Sequence, residues 1–263
     1  MLLAQMAVDI RRRGHGGVSQ PLGHGCQWHT GFQSQGSPSV ASSSVWCQWW
    51  HTSFFGETFP CSRESVGFHW SAVFAREAQV QFDGVVRIPL RFAIDWSRLG
   101  PDGLEYSGDS ANNADHHAYG ADLLAVADGT IEAVTDGVPE NVPGQTRAVP
   151  ITLDTRGGNL VILDIGDGRF VTYAHLIPGS LTVRVGDRVK RGDILGKLGN
   201  SGNSGGPHLH FHVSEIFDTQ NASGLNGSGL PFVFESFEIL GEGPHAGART
   251  LEMPIEDAVI TLP

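Results

Sequence analysis

The sequence predicts an all-β protein, mainly antiparallel sheet, with long loop insertions and an irregular N-terminal region. Thirty-five glycines and fourteen prolines in 263 residues interrupt the chain too often for long helices. No stretch sustains an apolar period of 3.6. Short runs rich in Val, Ile, Phe and Thr recur instead, bounded by Gly-Asp and Asp-Gly pairs that favour tight turns.

Residues 1–78 differ in character from the rest of the chain. They hold Cys26, Cys47 and Cys61, five of the six tryptophans and five of the twelve histidines, with no apolar period, and read as an irregular or disordered leader. A domain is expected over 79–240. It opens with VVRIPLRFAIDW from Val85, a strand pair or one long strand, and continues through a polar insertion from Ser97 to His117. ADLLAVA and TIEAVT, joined through Asp128-Gly129, read as a hairpin. GNLVILDI and RFVTYAHL read as a second one around Gly166-Asp167-Gly168. LTVRVGDRVKRGDILGKLG places short strands around Gly186-Asp187 and Gly192-Asp193, and FVFESFEIL (232–240) alternates once more. Residues 241–263 read as a tail.

A formal charge of −11 argues against nucleic acid or an anionic membrane as partner, because both reward clustered Lys and Arg. No apolar run reaches the roughly 20 residues of a bilayer span, so no transmembrane segment is expected. In MLLAQMAVDIRRRG the basic residues come after the apolar ones, the reverse of a secretory signal. Three cysteines without CxxC spacing indicate neither a disulfide framework nor a Cys-ligated zinc site.

The chemistry concentrates in GNSGNSGGPHLHFHV, residues 199–213. In an extended chain His208, His210 and His212 share one face while Leu209, Phe211 and Val213 share the other. Clustered imidazoles on a strand with a Gly/Ser-rich lead point to a metal-assisted hydrolytic site, against the plainer reading of a solvated histidine face.

YAHL at 173–176, VRVGDRVKRGDILGKLGNSGNSGGPHLHFHV at 183–213 and AVADGTIEAV at 125–134 resemble the lysostaphin/LytM-type zinc metallopeptidases over about residues 85–240. That resemblance implies a sheet domain of the LytM type, a barrel-sandwich hybrid, with one zinc ion that hydrolyses amide bonds in bacterial cell-wall peptides, with peptidoglycan as partner and an extracytoplasmic or cell-envelope location. It implies His210 as a zinc ligand and His175 and His208 as catalytic histidines without a metal bond. Asp95, in RFAIDW, resembles the family's zinc aspartate; Asp122 stands too close to the Asp128-Gly129 turn and reads as a loop residue. Zinc would lower the pKa of its bound water toward about 7, and a neighbouring histidine would take the proton or steady the oxyanion.

The pattern departs from the family four residues before Asp95, where Arg91 stands and cannot ligate zinc because guanidinium stays protonated. Further upstream, Ala75 occupies the other position expected for a histidine. His69, His116 and His117 are the substitutes, with His117 ranked above His69 because it borders the insertion, and a degraded site ranked above both. Loss of a ligand is also the mark of LytM-like domains that regulate cell-wall hydrolases by binding them. GNSGGP with Ser204 resembles a serine-protease nucleophile loop, but His175 lies only 29 residues before Ser204. The VGDRVKRGD stretch resembles biotinyl and lipoyl carrier hairpins, without their modified lysine.

Overall fold

The computed structural model describes residues 69–74, 80–82, 85–215, 227–242 and 244–262. The expected leader lies outside the described residues as far as residue 68. Its end, His69–Phe74, forms strand β1. A small pair, β2 (Val80–Phe82) with β3 (Val85–Arg87), comes next. VVRIPLRFAIDW is thus divided: β3 stops, a turn through Pro89–Phe92 intervenes, and β4 (Ile94–Leu99) begins. Pro89 has no N–H for a ladder, which favours a break there.

Beyond the insertion come β5 (Asp122–Leu124), β6 (Gly129–Thr135), β7 (Asn159–Asp164), β8 (Phe170–Leu176), β9 (Arg188–Val189), β10 (Ile194–Lys197) and β11 (Leu209–Ser214). Residues 241–263, expected as a tail, contain two strands. β12 (Phe234–Ile239) pairs with β13 (Gly247–Glu252) and with β14 (Val259–Thr261). One ten-stranded antiparallel sheet runs β13-β12-β14-β1-β4-β11-β8-β7-β6-β9.

The β7–β8 hairpin forms as the sequence predicts. The Asp128-Gly129 hairpin does not: β5 pairs with β10, and β6 pairs with β7 and β9. Leu123, Leu124, Ala125 and Val126 are consecutively buried, so ADLLAVA has no polar face to set a register against β6. Asp128 instead caps the 188–193 turn, accepting from the Arg191 N–H at 2.9 Å and from Lys190 Nζ at 2.8 Å. Gly186 and Gly192 have φ of 88° and 91°, the left-handed turn positions of the two Gly-Asp pairs.

The sheet's two faces are set by strand alternation. On one face Ile94, Trp96, Leu209, Phe211, Val213, Val171 and Tyr173 enter the main core. Edge-to-face rings extend it: Tyr173–Phe211 at 5.5 Å between centroids, Phe211–Phe232 at 5.1 Å and Trp96–Phe234 at 5.6 Å. The opposite face carries a small patch of Ala133, Leu160, Ile162 and Ala174, and beside it the histidines. A well-packed core beneath β11 fixes its register, and a one-residue slip would drive the histidines into that core.

Candidate active site

β4 and β11 pair so that Asp95 lies opposite His210, and on β11's other side His210 lies opposite Ala174 of β8. Directly opposed residues share a face, so the strand pairing itself presents the carboxylate to the imidazole. Asp95 Oδ1 lies 2.7 Å from His210 Nδ1 and 3.8 Å from His208 Nε2. Burial pushes the Asp95 carboxyl up, but the charges of His208 and His210 and the His210 hydrogen bond outweigh it, holding the group below its ordinary 3.8.

Plain alternation would send His175 into the core beside Tyr173. A bulge prevents this. Leu176 pairs with Asn159 and Tyr173 with Val161, so Ala174 and His175 together oppose Leu160 alone. His175 takes a φ of 70°, a strained conformation for a residue with a side chain, and its ring is turned to the histidine face. There it lies 4.7 Å from the His208 ring and 5.9 Å from the His210 ring, centroid to centroid. Burial above all, then the like charges of His208 and His210, hold the His175 pKa well below its ordinary 6.5, so the ring is neutral.

The glycine-rich loop before β11 sets the tautomers of both rings. His175 Nδ1 is 2.8 Å from the Ser201 carbonyl, and His208 Nδ1 is 2.9 Å from the Gly206 carbonyl. A carbonyl only accepts, so each Nδ1 carries a proton, and the neutral His175 ring presents its Nε2 lone pair. Ser204 Oγ donates to the Gly206 carbonyl at 2.8 Å and lies 3.2 Å from His208 Nδ1. This buried serine braces the loop and is not exposed as a nucleophile.

Asn141 and Asn200 hold that loop against the segment after β6. Asn141 Nδ2 donates to the carbonyls of Gly202 (2.8 Å) and Ser204 (3.0 Å), while its Oδ1 accepts from the Ala148 N–H (2.8 Å). Asn200 Nδ2 donates to Asn113 Oδ1 at 2.9 Å, and its N–H donates to Glu140 Oε1 at 3.0 Å. Asn200 stands inside the GNSGNSGG run, but Asn141 lies in a polar connection whose sequence carries no signal for the role.

Four of the residues singled out from sequence, Asp95, His175, His208 and His210, meet in one cluster. Another was not assigned a role: His212, 1% exposed, places Nδ1 3.0 Å from His210 Nε2. Its signal was the third place in the HxHxH alternation. The substitutes for the missing ligand do not join them. His69 pairs with Leu99 whereas Asp95 pairs with Val73, four positions or roughly 13 Å away along the strand. His117 packs its ring against Gly100 beyond the end of β4, and His116 Nε2 is 3.0 Å from the Ser110 carbonyl. Arg91 is exposed, its guanidinium over the Phe92 ring. Asp122, expected in a loop, opens β5 and pairs with Lys197 Nζ at 2.7 Å.

Asp95 and His210 offer the oxygen and nitrogen donors that suit zinc. Among the described residues no group of three His, Cys, Asp or Glu side chains is arranged to hold a metal ion. The donor set therefore fits zinc only in part, with two protein donors rather than three.

Residues 116–223 match the model of peptidase family M23. His175, His208 and His210 fall inside the match; Asp95 is supplied from before it. Over 90 residues the chain is 32% identical to the peptidoglycan DD-endopeptidase ShyA of Vibrio cholerae, covering 34% of this chain and 20% of ShyA. Over 100 residues it is 37% identical to the glycyl-glycine endopeptidase ALE-1 of Staphylococcus capitis, covering 38% of this chain and 25% of ALE-1. The chain thus spans a quarter or less of the length of these relatives. The solved catalytic domain of the prophage-encoded M23 protein EnpA from Enterococcus faecalis is 19% identical, with a TM-score of 0.37 over 63% of this chain and 89% of that one. No helix among the described residues is long and apolar enough to cross a membrane.

Proposed function

We propose that the chain is a zinc-dependent metalloendopeptidase that hydrolyses amide bonds in bacterial cell-wall peptides outside the cytoplasm. The observation that carries this reading is the convergence of Asp95, His210, His208 and His175 on one sheet face, the three histidines lying in the stretch that matches the M23 family. Asp95 and His210 are the metal donors. Bound zinc would supply Lewis acidity toward a carbonyl and an acidified water. His175 and His208, each donating its Nδ1–H to a backbone carbonyl, present Nε2 to accept a proton or, once protonated, to donate to a developing oxyanion. The main core beneath the sheet fixes both rings in place.

A second reading comes from the two-donor set and from Arg91 at the expected histidine position: a degraded domain that binds cell-wall hydrolases. Zinc titration of the wild type, H210A and D95A, together with hydrolysis of a glycine-containing peptide, separates the two. The peptidase reading expects about one zinc per chain, lost in both variants, and a roughly 100-fold or greater loss of turnover in H208A and H175A with zinc retained. A wild type that takes up no zinc and cuts nothing favours the binding module.

A further inference from the structure

Next to His208 the chain runs Ser204-Gly205-Gly206-Pro207, and its two glycines need explaining. Neither has a positive φ. A Cβ added at Gly205 would meet only Arg147 Nη2 at 3.8 Å, and one at Gly206 only His116 Cε1 at 3.8 Å, ordinary contacts in both cases. Conformation and packing therefore leave room for side chains. Bare backbone beside a reactive group is what close approach of a second chain requires. Gly205 is exposed and Gly206 half-buried, and among the described residues their N–H groups enter no hydrogen bond. Between the side chains of His116 and Arg147 they leave two amide donors available to an extended peptide.

On the Gly206 side stands His116, held against Tyr106 at 5.4 Å between centroids; on the Gly205 side stands Arg147. The Arg147 guanidinium is under-satisfied. Its Nε is shielded from water without a hydrogen-bond partner, and its Nη1 makes one long contact of 3.4 Å to the Gln145 carbonyl. Among the described residues no carboxylate pairs with it. Its segment is pinned on both sides, by Gly144 N–H to the Gly205 carbonyl at 3.1 Å and by Asn141 Oδ1 to Ala148 N–H. A half-buried, braced guanidinium with so few partners is suited to receive a planar anion on its free edge. Gly205 precedes His208 by three residues and Arg147 Nη2 is 3.8 Å from a Cβ at Gly205, which places Arg147 within roughly 15 Å of His208, the span of about four extended substrate residues.

We propose that Arg147 reads a carboxylate of the substrate beside Gly205 and Gly206, so that the chain selects an acidic peptide over its amidated counterpart. This rests on the peptidase reading for what is bound. The residue is a specificity determinant, since it contacts substrate away from the bond that breaks.

The test uses two synthetic glycine-containing peptides that differ only in one glutamate or glutamine. Binding is measured by calorimetry and hydrolysis by chromatography, on the full chain and on R147Q and R147K. The wild type is expected to bind the glutamate peptide roughly five- to tenfold more tightly, R147Q to bring the two within about twofold, and R147K to retain part of the preference. An unchanged unfolding transition in R147Q ensures that the loop is intact. Equal binding of both peptides by the wild type, or an undiminished preference in R147Q, overturns the assignment. A preference that vanishes in R147Q while neither peptide is cut supports the assignment and counts instead against the peptidase reading.

Discussion

Replacement of Asn141 tests whether the histidine cluster depends on the loop that presents it. The side chain is 2% exposed and makes three hydrogen bonds, two donated to the carbonyls of Gly202 and Ser204 and one accepted from Ala148. In N141A the Gly202 and Ser204 residues stay buried, so two carbonyls lose their donor while the exposed Ala148 N–H turns to water. At about 1–3 kcal/mol per buried unsatisfied group, the expected destabilisation is roughly 3 kcal/mol. For a domain of this size that corresponds to a Tm lower by about 6–12 °C. N141D is the sharper variant. It keeps an acceptor for Ala148 but points a carboxylate oxygen at two carbonyls, so it should be less stable than N141A, although it is closer in shape to Asn. Thermal and urea unfolding of the three proteins decides the order. N141D at least as stable as N141A, or a loss below about 1 kcal/mol in N141A, would refute the clamp.

Two further outcomes are expected from the fold. A chain of residues 79–263 lacks β1, which alone joins β14 to β4 in the sheet order, and should lose cooperative unfolding that residues 66–263 retain; equal transitions by differential scanning calorimetry would contradict this. Tyr119 donates to Glu140 Oε2 at 2.6 Å, and burial, that hydrogen bond and the Glu140 charge raise its pKa from 10.0 to about 12. The unfolded tyrosine ionises first, so the folded state holds the extra proton between pH 10 and 12 and stability falls with rising pH in that window. Y119F should shallow the fall measured by urea unfolding at stepped pH, and an identical slope would remove Tyr119 from the account.

The sequence by itself determined the β class, the β7–β8 hairpin and the His208/His210 face, because strand alternation and turn chemistry are local properties that the residues carry with them. The Asp128-Gly129 turn shows where locality ends: its dipeptide suits a hairpin, yet the buried run Leu123–Val126 and the Asp128 bonds to Lys190 and Arg191 hand each strand a distant partner. The same holds for residues 241–263, whose alternation is too weak to announce β13 and β14 until β12 and β1 supply the ladder. Asp95 could be singled out by its resemblance to a motif, but its contact with His210 exists only through the β4–β11 register, 115 residues apart. His175 reaches the site through a bulge and a left-handed backbone that no period reveals. Asn141 and Arg147 lie in a polar connection with no pattern at all. Only the tertiary structure sets Asn141 against the glycine-rich loop and Arg147 beside Gly205, because such contacts depend on which backbone atoms a folded loop brings near, and that proximity is not encoded in the spacing of side chains along the chain.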